Sequence, residues 1–335
     1  MPAEWEPHEA TWLAWPHNQD HWPGNFQPIP HVYSEIIRAL VLSEKVYVCV
    51  NDAAMENSAR ELLERSNVAL ENVRFFQIPT DASWSRDHGP IFVRDENENL
   101  IATDWIFNAW GGKYPPWDRD DAVPQHVARI LELPLVQPGI VLEGGSIDVN
   151  GKGTILTTEQ CLLNPNRNPH LRRNQIEQYL QQYLGVTNIL WLKEGIVGDD
   201  TDGHVDDIAR FVNARTVVCE LEENNTDANY EILKRNFDDL KKMRDQEGAL
   251  LEVIAIPMPD TVMHEGIRLP ASYANFYIAN RVVIVPTFRC KKDDDAIRIL
   301  SGLFPNRKVI GIDCVDLVWG LGTLHCSTQQ QPSGA

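Results

Sequence analysis

A strand–strand–helix–strand pattern returns along this chain at intervals of roughly sixty residues, and no other feature restricts its fold as much. Pairs of apolar runs flank short polar turns at 91–93 and 100–103, 146–149 and 154–157, 208–212 and 216–220, and 276–279 and 282–285. The second pair encloses Asn150-Gly-Lys-Gly153, and Asn-Gly tolerates the positive φ of a tight hairpin. A helical stretch follows each pair. At 168–184, Asn168-Pro169 reads as N-cap and first turn, with Gly185 as the stop. At 227–246, Tyr230, Leu233, Phe237 and Leu240 recur at steps of three and four. Shorter helices are expected at 124–131 and at 293–304, the latter ended by Pro305. A further apolar strand follows each helix, at 133–136, 188–192, 251–256 and 308–312. Near the N-terminus, a strand at 46–50, a helix at 54–65 and a strand at 73–78 match the last three parts of the same unit.

Five such units predict an α/β fold closed into a ring, a five-bladed propeller, with residues 1–335 as one domain. The units share little identity, so an ordinary α/β sheet with uneven connections stays open from the pattern alone. At about 150 residues per domain the length also admits two domains.

The connections between units hold the chemically unusual residues. They are Trp84-Ser-Arg-Asp87-His-Gly-Pro, Glu143-Gly-Gly-Ser, the acidic run from Asp199 to Asp207 around His204, Leu269-Pro-Ala-Ser272-Tyr-Ala-Asn, and Gly320-Leu-Gly-Thr-Leu-His-Cys326. Successive spacings from Asp87 through Glu143, His204 and Ser272 to Cys326 are 56, 61, 68 and 54 residues. In a ring, equivalent connections meet at the axis. The repeat therefore predicts one central pocket shared by an Asp, a Glu, a His with an Asp, a hydroxyl-rich loop at Ser272, and a Cys.

That set has a coherent chemistry. Cys326 follows a glycine-rich bend and has polar neighbours, which suits a nucleophilic thiolate. His204 and Asp206 stand two apart, so an extended segment turns both to one side. His204 can protonate a leaving amine and then activate water. Asp87 and Asp206 together suit a planar guanidinium, whose N–H groups match carboxylates in a bidentate fork. Glu143 is placed to orient the histidine. The rival is a divalent-cation site in the acidic run. No His-Glu-x-x-His is present, since His264-Glu265 has no second histidine.

Charge narrows the partners. Lys and Arg number 30 against 48 Asp and Glu, a net charge of −18. Such a chain is a poor general ligand for nucleic acid or anionic membrane and suits a small cationic substrate, although solubility alone also accounts for the charge. No apolar run reaches the length of a membrane span, and the first residues lack the basic and apolar regions of a secretory signal. The 6 cysteines form no Cys-x-x-Cys pair. The expectation is a cytoplasmic protein with free thiols. A homo-oligomer is compatible with the chain but not readable from it.

With these residues in place the sequence resembles the agmatine deiminase (agmatine iminohydrolase) family. That family is allied to the bacterial peptidylarginine deiminases within the guanidino-group-modifying pentein superfamily of five-bladed α/β propellers. The resemblance is carried by Met1-Pro-Ala-Glu-Trp-Glu-Pro-His8, Thr11-Trp-Leu-Ala-Trp-Pro16, Trp84-Ser-Arg-Asp87-His-Gly-Pro90, Leu142-Glu-Gly-Gly-Ser146, Asp202-Gly-His-Val-Asp206, Leu269-Pro-Ala-Ser-Tyr-Ala-Asn-Phe276 and His325-Cys-Ser-Thr-Gln-Gln-Gln-Pro332. It implies hydrolysis of the agmatine guanidino group to N-carbamoylputrescine and ammonia, within polyamine synthesis, without cofactor or metal. It casts Cys326 as nucleophile, His204 as general acid and base, and Glu143 as its partner. Asp87 and Asp206 would bind the guanidinium, and Trp84 would wall the substrate. The run before Cys326 is less glycine-rich than usual in that family, which bears on the far end of the pocket. The other readings are a deiminase of peptidyl or free arginine and a non-catalytic polyamine-binding propeller. The missing signal disfavours the exported peptidylarginine enzymes.

Overall fold

The structure is a computed structural model describing residues 1–334. Its strands sort into sheets that follow the repeat. Val282–Thr287 is an almost continuous β-branched run, buried along nearly its whole length. Such a strand needs cover on both faces. It pairs antiparallel with Tyr277–Ile278 through a short hairpin and parallel with Lys308–Asp313. Parallel partners require a crossover, and helix Lys292–Leu303 supplies it. Burying a side chain such as Val283 or Ile284 contributes about 1.5–3 kcal/mol.

The same three-stranded arrangement occurs in Ile91–Arg94 with Leu100–Thr103 and Leu135–Val136. It occurs again in Ile147–Val149 with Thr154–Thr158 and Asn188–Leu192. Ala209–Phe211, Thr216–Leu221 and Glu252–Pro257 form the next. Their crossovers contain Val123–Leu131, Arg173–Leu184 and Tyr230–Leu240. In the last of these, Leu233 and Leu240 are buried as the periodicity requires. A four-stranded sheet orders Gln329–Pro332, His8–Ala14, Lys45–Val50 and Val73–Gln77, so strands from the two ends of the chain pair antiparallel. Among the described residues no helix is long and apolar enough to cross a membrane.

Some expectations shift. The helix expected from Asn168 begins at Arg173. Asn168 is instead engaged with Val141, accepting from its N–H and donating to its carbonyl, both at 2.9 Å. Helix Ile29–Leu40 and the small hairpin of Met263–His264 with Ile267–Arg268 had no sequence forecast. The hairpin lies outside the repeating unit, but the helix is the crossover between the parallel strands His8–Ala14 and Lys45–Val50. The fifth unit is therefore Gln329–Pro332, His8–Ala14, this helix and Lys45–Val50. The helix Ala53–Arg65 and strand Val73–Gln77, expected as its last two parts, are an addition to it, because the first strand comes from the other end of the chain.

What positions the site is the segment before the first strand of each sheet. Ser85–His88, Gly144–Ser146, Val205–Asp207, Tyr273–Asn275 and Leu324–Ser327 are each a single helical turn. They touch one another in a closed cycle, each contacting the next and the last contacting the first.

Candidate active site

These turns are buried polar backbone, and buried N–H groups must find partners. Several find them in the acids and amides that the sequence places there. Asp87 Oδ1 accepts from Gly145 N at 3.0 Å, and Asp87 Oδ2 from Trp110 Nε1 at 3.0 Å. Burial drives the Asp87 carboxyl up to about 7 against these two bonds. Its Oδ1 lies 3.6 Å from His204 Nδ1. Gly145 is what lets the groups meet. A Cβ there would sit 2.6 Å from His204 Nδ1, 2.8 Å from Asp87 Oδ1 and 3.0 Å from Asp206 Oδ2.

His204 and Asp206 do share one side, though not through an extended segment. His204 caps the one-turn helix Val205–Asp207, and the turn rather than strand alternation brings the carboxylate round. Asp206 Oδ2 receives His325 Nδ1 at 2.6 Å and lies 3.9 Å from Cys326 Sγ. Its other oxygen is buried without a hydrogen-bond partner among the described residues. Burial first, and then the neighbouring Asp87, hold the Asp206 carboxyl well above the usual range. The Cys326 thiol is likewise held up by burial and then by Asp206, Asp207 and Asp87. Burial, and next Arg167, keep His204 well below the usual imidazole value, so it is neutral in the empty site.

Glu143 stands behind the histidine. Its Oε1 accepts from Arg167 Nε at 2.6 Å, while its Oε2 and His204 Nε2 are both buried without a hydrogen-bond partner. A Glu143 oxygen, a His204 ring nitrogen and Cys161 Sγ lie within 4.8 Å of one another. This is the one set of potential metal donors that clusters among the described residues. It suits a resident cation poorly, because Arg167 already supplies Glu143 with positive charge and burial holds the Cys161 thiol protonated. Nor does the acidic run form a cage. Asp199 accepts from Thr201 and from the backbone N–H groups of Gly203 and His204. Asp202 pairs with Arg167 at 2.5 Å and Lys113 at 3.0 Å.

Trp84, Asp87, Trp110 and Cys326 line one cavity of about 270 Å³, together with Asp20 and Asp200. The Trp84 ring abuts Gly322, where a Cβ would approach it to 2.8 Å and Cys326 Cβ to 3.1 Å. That glycine of the run before Cys326 is required by space. Leu321 holds a left-handed φ of 67° without being glycine.

Ser272 does not belong in the pocket. Its hydroxyl accepts from Ala274 N at 3.0 Å and donates to Glu220 at 3.0 Å, closing its own turn. Asn275, three residues on, takes the inward place and donates to Cys326 Sγ at 3.2 Å. Asn275, Arg167 and Trp110 were not singled out in the sequence. Asn275 lay inside a recognised connection, but register within it could not be read. Trp110 is in a left-handed bend, φ 54° and ψ 43°, outside the equivalent connections.

The sequence profile of the Porphyromonas-type peptidyl-arginine deiminases matches residues 1–332. The chain belongs to this family. The agmatine deiminase of Medicago truncatula is 40% identical, over 99% of this chain and 96% of its own. The solved structure of the Enterococcus faecalis agmatine deiminase superposes with a TM-score of 0.93 at 35% identity, covering 99% of this chain and 95% of that one. A dimethylarginine dimethylaminohydrolase superposes with a TM-score of 0.55 at 11% identity, covering 96% of this chain and 99% of that one. That likeness concerns the mixed α/β fold alone.

Proposed function

We propose that the chain hydrolyses the guanidino group of agmatine to N-carbamoylputrescine and ammonia, with Cys326 as nucleophile. The observation that carries this reading is the meeting of Cys326 with Asp206 and Asp87 beside a cavity whose lining holds Asp20 and Asp200 and no Lys or Arg among the described residues. A substrate carboxylate would find no cation there, which disfavours free arginine. A substrate cation at both ends meets acids at both ends. Asp200 faces the cavity and accepts from the Tyr114 hydroxyl, whereas Asp199 is turned inward to its loop. The terminal ammonium is therefore assigned to the Asp200 side.

The five sheets are read as blades of one closed ring over the described residues 1–334, a single five-bladed propeller domain. The cyclic contact of the five turns and the pairing of the chain's end strands support this. The free state of the cysteines suits a reducing, cytoplasmic setting.

In the reaction, Asp206 and Asp87 hold the guanidinium flat, and the unpartnered Asp206 Oδ1 is the acceptor kept for it. Bound cation offsets the carboxylates that raise the thiol, so Cys326 gives up its proton, which ends on neutral His204. The sulfur attacks the guanidinium carbon and gives a neutral tetrahedral adduct. Protonated His204 returns that proton to one amino group, the C–N bond breaks, ammonia leaves, and a thiouronium remains on Cys326. Neutral His204 then takes a proton from water as its oxygen attacks the same carbon. The C–S bond breaks, the urea product departs, and the remaining protons restore the thiol and convert ammonia to ammonium. Glu143, fixed by Arg167, faces the imidazolium that forms twice.

A panel assay for ammonia release tests the substrate: agmatine, free arginine, a peptidyl arginine and an amidated control. Agmatine is expected to turn over and free arginine to be far slower; equal turnover of arginine refutes the assignment. Cys326→Ser is expected to abolish turnover while agmatine still raises the melting temperature. Undiminished turnover in that variant sinks covalent catalysis.

A further inference from the structure

Cys326 Sγ lies among groups that oppose its ionisation. Asp206 and Asp207 face it from the turn Val205–Asp207, and Asp87 from Ser85–His88. His325 precedes it with both ring nitrogens committed to Asp206 and Glu4. Tyr33 is nearby, its hydroxyl donated to Ser83 O at 2.9 Å and Ser327 Oγ at 3.3 Å. The group that donates to the sulfur is the side-chain amide of Asn275, fully buried on the turn Tyr273–Asn275.

The orientation of that amide follows from its partners. One of its terminal atoms faces Thr323 Oγ1 at 2.7 Å, His325 N at 3.0 Å and Cys326 N at 3.3 Å. Two of these are backbone N–H donors, so the atom they face must be the oxygen. The NH2 end is then forced toward Cys326 Sγ at 3.2 Å and Asp207 Oδ1 at 3.0 Å. The thiol's own proton has Asn275 Oδ1 at 3.5 Å and Asp206 Oδ2 at 3.9 Å within reach. When that proton leaves, the N–H of Asn275 stays on the sulfur. Oxygen and nitrogen of one side chain thus serve two tasks. The oxygen pins the backbone of the nucleophile turn, and the nitrogen meets the charge that develops on the nucleophile.

We infer that Asn275 is a catalytic residue of this site, the hydrogen-bond donor that stabilises the Cys326 thiolate against its ring of carboxylates. The inference deepens the reading of Cys326 as nucleophile and rests on it. A donor held in place before the charge appears needs no reorganisation at the moment of reaction.

Asn275→Asp separates the two tasks. It keeps the oxygen that accepts from Thr323, His325 and Cys326, and it puts an oxygen where the NH2 group faced sulfur. The decisive readout is the pH profile of Cys326 alkylation by iodoacetamide in the substrate-free enzyme, with the modified peptide located by mass spectrometry. A hydrogen bond to a charged group corresponds to about a tenfold to hundredfold change in thiolate fraction at a given pH. The alkylation midpoint is therefore expected to move to higher pH. The rate below it should fall about tenfold or more, and kcat should fall more than KM rises. An alkylation profile superimposable on the wild type overturns the inference, whatever happens to turnover, because a mere clamp on the backbone would leave the thiol's ionisation in place. Asn275→Ser, too short to reach the sulfur and adding no carboxylate, is read by the same profile whether or not Asn275→Asp folds: its midpoint must rise as well, and a rise confined to Asn275→Asp, which the added charge alone would cause, overturns the inference. Because alkylation reads the thiol and not turnover, a failure of this inference is distinguishable from a failure of the covalent mechanism, which Cys326→Ser decides.

Discussion

Replacing Trp110 by Phe tests the proposal that Asp87 must be charged to receive the substrate cation. Asp87 has two hydrogen-bond donors, the Trp110 indole N–H and the Gly145 N–H, each at 3.0 Å. Burial raises the carboxyl to about 7, and the indole bond is the largest influence pulling it back down. A hydrogen bond to a charged group contributes about 1.5–3 kcal/mol, and 1.36 kcal/mol is tenfold in an equilibrium. Without the indole N–H the midpoint, about 7 in the native site, moves to about 8–9. The sign follows directly. In the proposed reaction guanidinium binds the carboxylate form, so kcat/KM is expected to fall as pH drops through that midpoint. Trp110→Phe should therefore lose about tenfold to hundredfold in kcat/KM at pH near 6 and close the gap as pH rises above about 9. In the same proposal Asp206 shares the cation, so the acid limb belongs to the pair, and its displacement between the two proteins is the quantity to read. The assay is ammonia release from agmatine across the pH range. Phe keeps a ring against Phe107 and Tyr114, with centroids now 5.1 and 5.7 Å from the indole. Packing loss lowers kcat/KM by one factor at every pH. A profile lowered in parallel, with the acid limb unmoved, refutes the role given to the indole N–H.

Three other outcomes are expected. Asp206→Asn should cost about 2–5 kcal/mol in kcat/KM for agmatine, roughly 30- to 5,000-fold, because an amide can still accept from His325 but turns its NH2 toward the incoming cation; near-native turnover would count against bidentate carboxylate binding. Gly145→Ala should leave the far-ultraviolet circular dichroism intact and lower kcat about 100-fold, since a Cβ 2.6 Å from His204 Nδ1 must displace the imidazole proposed to move the protons. Retained kcat would mean that His204 does not act from this position. Arg167→Met should destabilise the fold by about 3–5 kcal/mol in urea titration, as it strands buried Glu143 and leaves Asp202 short of a partner; an unchanged midpoint at constant slope would show that water or Lys113 replaces the guanidinium.

The repeat itself was legible in the order of residues. Alternating and β-branched runs around Asn150-Gly151 or Asn280-Arg281, each followed by a helical period, are local signals, and local sterics and burial decide them. The even spacing of Asp87, Glu143, His204 and Cys326 also announced that their connections were equivalent. Tertiary structure decided what spacing could not express. The strand His8–Ala14 completes its sheet with Gln329–Pro332, a partner from the other end of the chain, and no local window contains both. Ser272 and Asn275 lie in one connection, and which of them reaches Cys326 depends on a one-turn helix whose register is fixed by Glu220 and by the backbone of the 323–326 turn. Protonation states are the furthest from sequence. Asp87, Asp206, His204 and Cys326 carry ordinary side chains, and only their common burial, with Arg167 and the clustered carboxylates around them, makes the histidine neutral and the acids hard to ionise until a cation arrives.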